Sequence, residues 1–193
     1  MISFQANYIT SGIVKKRTLD NKYQNQDVAF VEFDLNSYSD KRTMKKISKA
    51  WSKEFNKLEK QGEKLSGETC FAKTIWDYFK ISCRKPDLRS YYAITTQTDN
   101  FEKLNPDEVL GLARVTNEGL GIYELEHLQV KPEHTAFIKN PEYKRIGSGV
   151  LDCLLLSLPF REFKVVPTFA AAEFYAKYGF QFDPDTLGFC IKA

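Results

Sequence analysis

Two histidines, four cysteines and two methionines are all that 193 residues offer as imidazole or sulfur ligands. His127 and His134 are too few for a zinc cluster, and Cys70, Cys83, Cys153 and Cys190 are widely separated with no C-x-x-C pair. Reduced, mostly buried thiols therefore fit better than a metal site or a disulfide framework. No apolar run approaches the ~20 residues of a membrane span. Met1 to Asn7 also lacks the basic stretch and long apolar run of a signal peptide. A cytoplasmic protein with no membrane attachment is the expectation. Strong charge imbalance is missing too: 28 basic against 25 acidic residues leave +3, which does not by itself imply a polyanionic partner. There is no internal repeat and no low-complexity linker. With 42% apolar and 27% charged residues the composition is that of an ordinary globular protein, and the length suits one domain over residues 1–193.

The pattern along the chain alternates strand-like and helix-like segments. Ile2 to Ile9 and Val28 to Leu35 read as two strands around a loop rich in Lys, Asn and Gln. Ser37 to Asp40 then starts a helix whose Met44, Ile47, Trp51, Phe55 and Leu58 form one apolar stripe over some six turns. Its other faces carry eight basic residues against three acidic ones. A nucleic-acid or acidic-substrate surface is one reading; a solvated helix face is preferred, because the overall charge is nearly balanced.

A second helix is predicted from about Glu68 to Lys80, with Phe71, Ile75, Tyr78 and Phe79 inward and Ser66 or Thr69 as cap. Trp76 and Tyr78 could line a pocket, although an aromatic stripe at helical spacing is more often core. Tyr91 to Thr96, Val109 to Val115 and Tyr123 to Val130 follow as strands of an antiparallel meander, the last two joined by a tight turn at Asn117-Glu118-Gly119.

The last third carries the chemistry. Leu128-Gln129-Val130-Lys131-Pro132 is a strand end running into a loop. Tyr143-Lys144-Arg145-Ile146-Gly147-Ser148-Gly149 is a glycine turn into an apolar helix, so backbone N–H groups stand at a helix N-terminus, where they can hold phosphate oxygens. Ala171 to Phe180, with Phe174, Tyr175, Lys177 and Gly179, reads as a short helix stopped by glycine. Each piece alone has an ordinary structural reading.

Together and in this order they resemble the GNAT superfamily of acyl-CoA-dependent N-acetyltransferases. The similarity lies in the L-x-V-x-P strand end, the glycine turn and the A-x-x-F-Y-x-K-x-G-F segment. It covers residues 90 to 193 well and the first 80 only by the order of strands and helices. The family pattern Q/R-x-x-G-x-G/A fits literally from Lys144 to Gly149, which would place Asp152 where the helix should be buried. The register Glu142 to Gly147 instead sets Ile146, Val150, Leu151, Leu154 and Leu155 on one face and is preferred. Glu142 then stands where Arg or Gln is usual, Arg145 replaces a glycine, and the loop from Lys131 to Pro141 is longer than usual.

The resemblance implies an α/β (α+β) fold: a mixed, mostly antiparallel sheet of six or seven strands flanked by about four helices, with Phe163–Pro167 parallel to Tyr123–Val130. It implies acetyl transfer from acetyl-CoA to a primary amine, small molecule or protein amine, by direct attack, without metal and without an acyl-enzyme on Cys153. Backbone groups of Leu128, Gln129 and Val130 would meet the pantetheine arm. Lys144, Arg145, Ile146, Gly147, Ser148 and Gly149 would surround the pyrophosphate, and Thr168 would cap the following helix.

Tyr175 falls where the family protonates the departing thiolate, and Phe174 and Tyr178 are expected to take the core positions beside it. Glu124 and Glu126 fall at acidic positions that can serve a base. By strand alternation both would share a face with Leu128 and Val130, and His127 would point away. A CoA-binding sensor or assembly module without catalysis, and an RNA- or protein-binding role for residues 41–60, are the alternatives. A homodimer remains open, and the acceptor is not legible in the sequence.

Overall fold

The computed structural model describes residues 6–61, 70–85, 88–136, 138–168 and 171–193. Strands β1 (Asn7–Arg17) and β2 (Tyr23–Glu32) form a long hairpin, paired from Asn7↔Glu32 to Arg17↔Tyr23. The polar segment expected to be a loop is thus strand. Apart from the buried Val14, its side chains are exposed or half-buried in a hairpin close to the sheet edge, where little apolar alternation is needed.

Helix α1 (Tyr38–Lys60) follows, capped by Ser37, whose Oγ accepts the N–H of Asp40 at 3.1 Å. Met44, Ile47, Trp51, Phe55 and Leu58 are all buried, as the stripe predicts. Helix α2 (Phe71–Arg84) buries Ile75 and Phe79, but Tyr78 is 38% exposed rather than inward. Ser66 and Thr69, expected as its caps, lie outside the described residues. Its N-cap is Cys70, whose side chain gives no capping hydrogen bond; the thiol instead lies 3.9 Å from the Ser52 hydroxyl.

Strands β3 (Arg89–Thr95), β4 (Val109–Gly119) and β5 (Ile122–Val130) make the expected meander. The β4–β5 turn is at Leu120 and Gly121, both left-handed, which matches the two-residue hairpin type that fits sheet twist. A two-residue strand β6 (Tyr143–Lys144) leads into α3 (Ile146–Ser157), then β7 (Glu162–Val165), α4 (Ala172–Lys177), β8 (Gln181–Asp183) and β9 (Gly188–Lys192).

Among the described residues the sheet has nine strands in the order β6-β1-β2-β3-β4-β5-β7-β9-β8. This exceeds the six or seven expected, because β6, β8 and β9 are too short to show periodicity. Among the described residues only the β5–β7 pair is parallel. Two cores result: α3 and α4 pack on one sheet face with Val14, Ile94, Leu125 and Phe163, and α1 and α2 pack on the other with Val31, Tyr91 and Leu112. No helix among the described residues is long and apolar enough to cross a membrane.

Candidate active site

The parallel pairing of β5 with β7 runs from Ile122↔Glu162 to Leu125↔Val165 and stops there. β5 continues to Val130, whereas Val166 to Thr168 leave the strand. A wedge therefore opens between the two, and a cavity of about 650 Å³ occupies it. Leu128, Gln129 and Val130 form one wall, the start of α3 closes one end, and Thr168, Phe174 and Tyr175 stand across from β5. The loop after β5 forms the roof through His134, Thr135, Ala136, Ile138 and Pro141. That loop is tied down by Tyr23, whose hydroxyl donates to the Pro141 carbonyl at 2.7 Å, and by packing of Ile138 on Phe55 and Leu58 of α1.

Arg145 precedes α3 in a left-handed conformation, φ 60°, and gives no side-chain cap. The N–H of Gly149 donates to the Arg145 carbonyl at 2.8 Å. The N–H groups of the three preceding residues, Ile146, Gly147 and Ser148, are those a helix leaves without intrahelical acceptors. All three residues line the cavity. The positive end of the helix faces this space, and Lys144 and Arg145 also line it. Lys144 holds its ammonium 4.1 Å from the ring centre of Tyr23.

The two glycines differ. A Cβ on Gly147 would meet only ordinary contacts, the nearest Leu128 Cδ2 at 3.6 Å, on the cavity side. A Cβ on Gly149 would approach Ile94 Cδ1 at 3.1 Å and the Ile13 carbonyl at 3.2 Å. Gly149 lies outside the cavity and lets α3 pack closely on β1.

Strand β5 carries a bulge. Arg114 opposes His127 while Val115 opposes Leu125, so Glu126 is the extra residue. The bulge reverses the alternation expected for this strand. Leu128 and Val130 pack toward α3, whereas Glu126 and His127 both face α2. Glu126 pairs with Arg114 and with Arg89 (3.4 Å), and the Thr116 hydroxyl donates to it at 2.6 Å.

His127 packs edge-on against Phe71 at 5.1 Å, and its Nδ1 is buried without a hydrogen-bond partner. Burial, with Arg114 nearby, pushes its pKa down to about 4. Gln129 is held by the Phe71 N–H, which donates to Oε1 at 2.9 Å, capping α2 from a neighbouring strand. Glu126 and His127 line the cavity; Glu124, paired with Thr116 and Lys164 in the closed half of β5, does not.

Tyr175 lines the cavity and is 6% exposed, against the ring of Phe174 at 5.0 Å and of Phe180 at 5.6 Å. The expected division of labour is reversed: Tyr175 is the buried residue of α4, while Phe174 and Tyr178 are half-buried. Burial raises its phenol to about 12. Thr168 is on the cavity wall but is not the cap of α4; that position belongs to Ala171, whose N–H donates to the Thr168 carbonyl at 2.9 Å.

Cys153 is buried in α3 away from the wedge, with its thiol pushed up to about 11 by burial. Phe71, His127, His134 and Ile138 are cavity residues that pattern reasoning did not assign. The bulge that exposes His127 has no sequence signal, and the loop residues lack any period.

No protein-family model matches the chain, and no curated protein matches it. In three dimensions it is similar to a protein from Desulfovibrio desulfuricans assigned to the acetyltransferases of the GNAT family. The identity is 14%, the match covers 86% of this chain and 98% of that one, and the TM-score is 0.51. A GNAT-family acetyltransferase from Staphylococcus aureus matches at 13% identity over 80% of this chain and 84% of its own, with a TM-score of 0.43. The sheet with one parallel, splayed strand pair, the glycine turn opening α3 and the fold match agree, and the chain has the fold of the GNAT acetyltransferases.

Proposed function

We propose that the protein transfers an acetyl group from acetyl-CoA to a primary amine by direct attack within a ternary complex. The observation that carries this reading is the cavity between β5 and β7, walled at one end by the N-terminus of α3 and alongside by Tyr175. The residues fit the substrate. Pyrophosphate oxygens would accept from the N–H groups of Ile146, Gly147 and Ser148, beside Lys144 and Arg145, a backbone arrangement that tolerates the larger residue at 145. The amide groups of the pantetheine arm would pair with the free edge of β5 from Glu126 to Val130, as an added strand would.

At the closed end of the wedge, a backbone N–H of the bulge would donate to the thioester oxygen as negative charge develops there. The attacking amine must be neutral, and the departing thiolate needs a proton. Tyr175 supplies that proton: its phenol stays protonated at neutral pH, and a thiolate released beside it in a buried site is a strong acceptor. No protein nucleophile is needed, and the raised thiol of Cys153 is a poor one.

Glu126 and Glu124 were the expected bases. Glu126 is engaged by two arginines and a hydroxyl, so its carboxylate oxygens are already occupied by donors from the sheet. We assign it the role of fixing the bulge. Glu124 would reach the amine only through water. Among the described residues the only carboxylate on the cavity wall is the paired Glu126, which favours, as the second reading, CoA binding without turnover.

Thiol release from acetyl-CoA, measured with a panel of amines, separates the two. Turnover with any amine supports acetyl transfer; CoA binding with no turnover across the panel supports the second reading.

A further inference from the structure

The near-neutral total charge is the sum of two unlike parts. Helix α1 holds eight basic and three acidic residues, net +5, and the remaining 20 basic and 22 acidic residues come to −2. Within α1 the cations are sorted. Arg42, Lys45, Lys46, Lys49, Lys53, Lys57 and Lys60 follow one another at steps of three, one, three, four, four and three residues. At 100° per residue they fall within an arc of about 120°, directly opposite the buried stripe from Met44 to Leu58. All seven are exposed.

The acids do not interrupt this line. Asp40 is buried and accepts the Asp34 N–H at 2.8 Å, Glu54 sits on one flank, paired with Lys57 at 2.9 Å, and Glu59 is exposed on the other flank, about 40° outside the arc. Among the described residues no carboxylate pairs with the other six cations. At 1.5 Å per residue the line runs about 27 Å. Tyr38, one turn before Arg42 on the same face, is 80% exposed and extends the line with an aromatic ring.

We propose that this face of α1 binds single-stranded nucleic acid through its phosphate backbone, with Tyr38 as a stacking platform for a base. Self-repulsion of seven cations in line favours a linear polyanion as partner. Lysines, six of the seven, are point charges suited to phosphates rather than to base edges, so the recognition is independent of sequence. The exposed ring supplies the base stacking typical of single-strand binders. An anionic membrane is a poorer fit, because the apolar side of α1 is buried in the core and has nothing to insert into lipid. This surface lies across the helix from the catalytic cavity, and the inference stands whether or not acetyl transfer is found.

The test is fluorescence anisotropy of a labelled 20-nucleotide mixed-sequence RNA with the full chain, from 50 to 200 mM KCl. Binding is expected at 50 mM, and log K should fall linearly with log salt, with a slope of about −3 to −4 for four to six contacts at ~0.7 each. The triple change Lys45→Glu, Lys46→Glu, Lys49→Glu should weaken binding at least about tenfold and flatten the slope, and Tyr38→Ala should weaken it about fivefold or more. Should the reversed-charge protein misfold by circular dichroism, the Lys→Gln triple change takes its place, with the same expected direction.

No binding at 50 mM salt, or binding indifferent to both triple changes, overturns the proposal. Tighter binding to phosphatidylserine vesicles than to RNA overturns it in favour of a membrane. Equal binding of a duplex, with no effect of Tyr38→Ala, overturns the assignment to single strands.

Discussion

Arg114 of β4 and Glu126 of β5 form an ion pair across the bulge, on the sheet face that α2 covers, with the Arg114 guanidinium 3.6 Å from the ring centre of Tyr78. Their side chains are 5% and 14% exposed. Glu126→Gln alone leaves the buried Arg114 without its carboxylate and should cost about 3 to 5 kcal/mol, whereas Arg114→Met alone leaves Glu126 with Arg89 and the Thr116 hydroxyl and should cost less. The double change should recover most of that loss in urea unfolding. Additive losses would show that the pair is not coupled.

Tyr175→Phe keeps the ring that packs on Phe174 and Phe180 and removes only the hydroxyl. Turnover should fall by roughly 100-fold with acetyl-CoA affinity nearly unchanged. Because the phenol is raised to about 12, it remains protonated through pH 10, and no alkaline limb in turnover below about pH 11 should be traceable to it. The sign for stability follows: the folded value lies above the unfolded value near 10. The contribution is therefore complete below pH 10 and is lost as pH rises through 12. Unchanged turnover in the Phe variant would remove Tyr175 from the chemistry.

Gly149→Ala places a methyl against the Ile13 carbonyl and Ile94 and should lower stability by about 1 to 3 kcal/mol. Gly147→Ala meets only ordinary contacts and should leave thermal unfolding unchanged. Equal losses at both positions would contradict the separation of a packing glycine from a cavity glycine.

Asp40 is fully buried, and burial raises its carboxyl from 3.8 to about 6. With the folded value above the unfolded one, its contribution is complete below about pH 4 and is lost as pH rises through 6, about 3 kcal/mol at most. Asp40→Asn should remove that slope between pH 4 and 6 in chemical denaturation. Parallel pH profiles of the two proteins would refute it.

These tests fall where the sequence was legible and where it was not. The α1 stripe from Met44 to Leu58 was readable because five apolar residues at helical spacing have one solution, a face against the sheet. Ile146, Val150, Leu151 and Leu154 fixed the register of α3 in the same way. The cavity ends were readable for a different reason. A glycine turn before an apolar helix and a tyrosine before Lys177 and Gly179 are short-range patterns that the order of elements brings together.

The bulge at Glu126 was not readable. One extra residue in a ladder leaves no trace in composition, yet it moves His127 into the cavity wall and Leu128 to the other face. Tyr175 and Phe174 exchanged roles because α4 runs only from Ala172 to Lys177, too short for periodicity to choose the buried ring. The polar half of the β1–β2 hairpin was missed because a strand whose side chains meet water needs no alternation.

The central claim is that the wedge between β5 and β7 holds acetyl-CoA with its pyrophosphate on the N-terminus of α3. Calorimetric titration of acetyl-CoA into the wild-type protein and into Gly147→Glu tests it most directly. The account predicts binding to the wild type and about tenfold or greater weakening in the variant, with thermal unfolding little changed, because a carboxylate would stand among N–H groups meant for phosphate. Equal affinity in the two proteins, or no binding to the wild type, would contradict it.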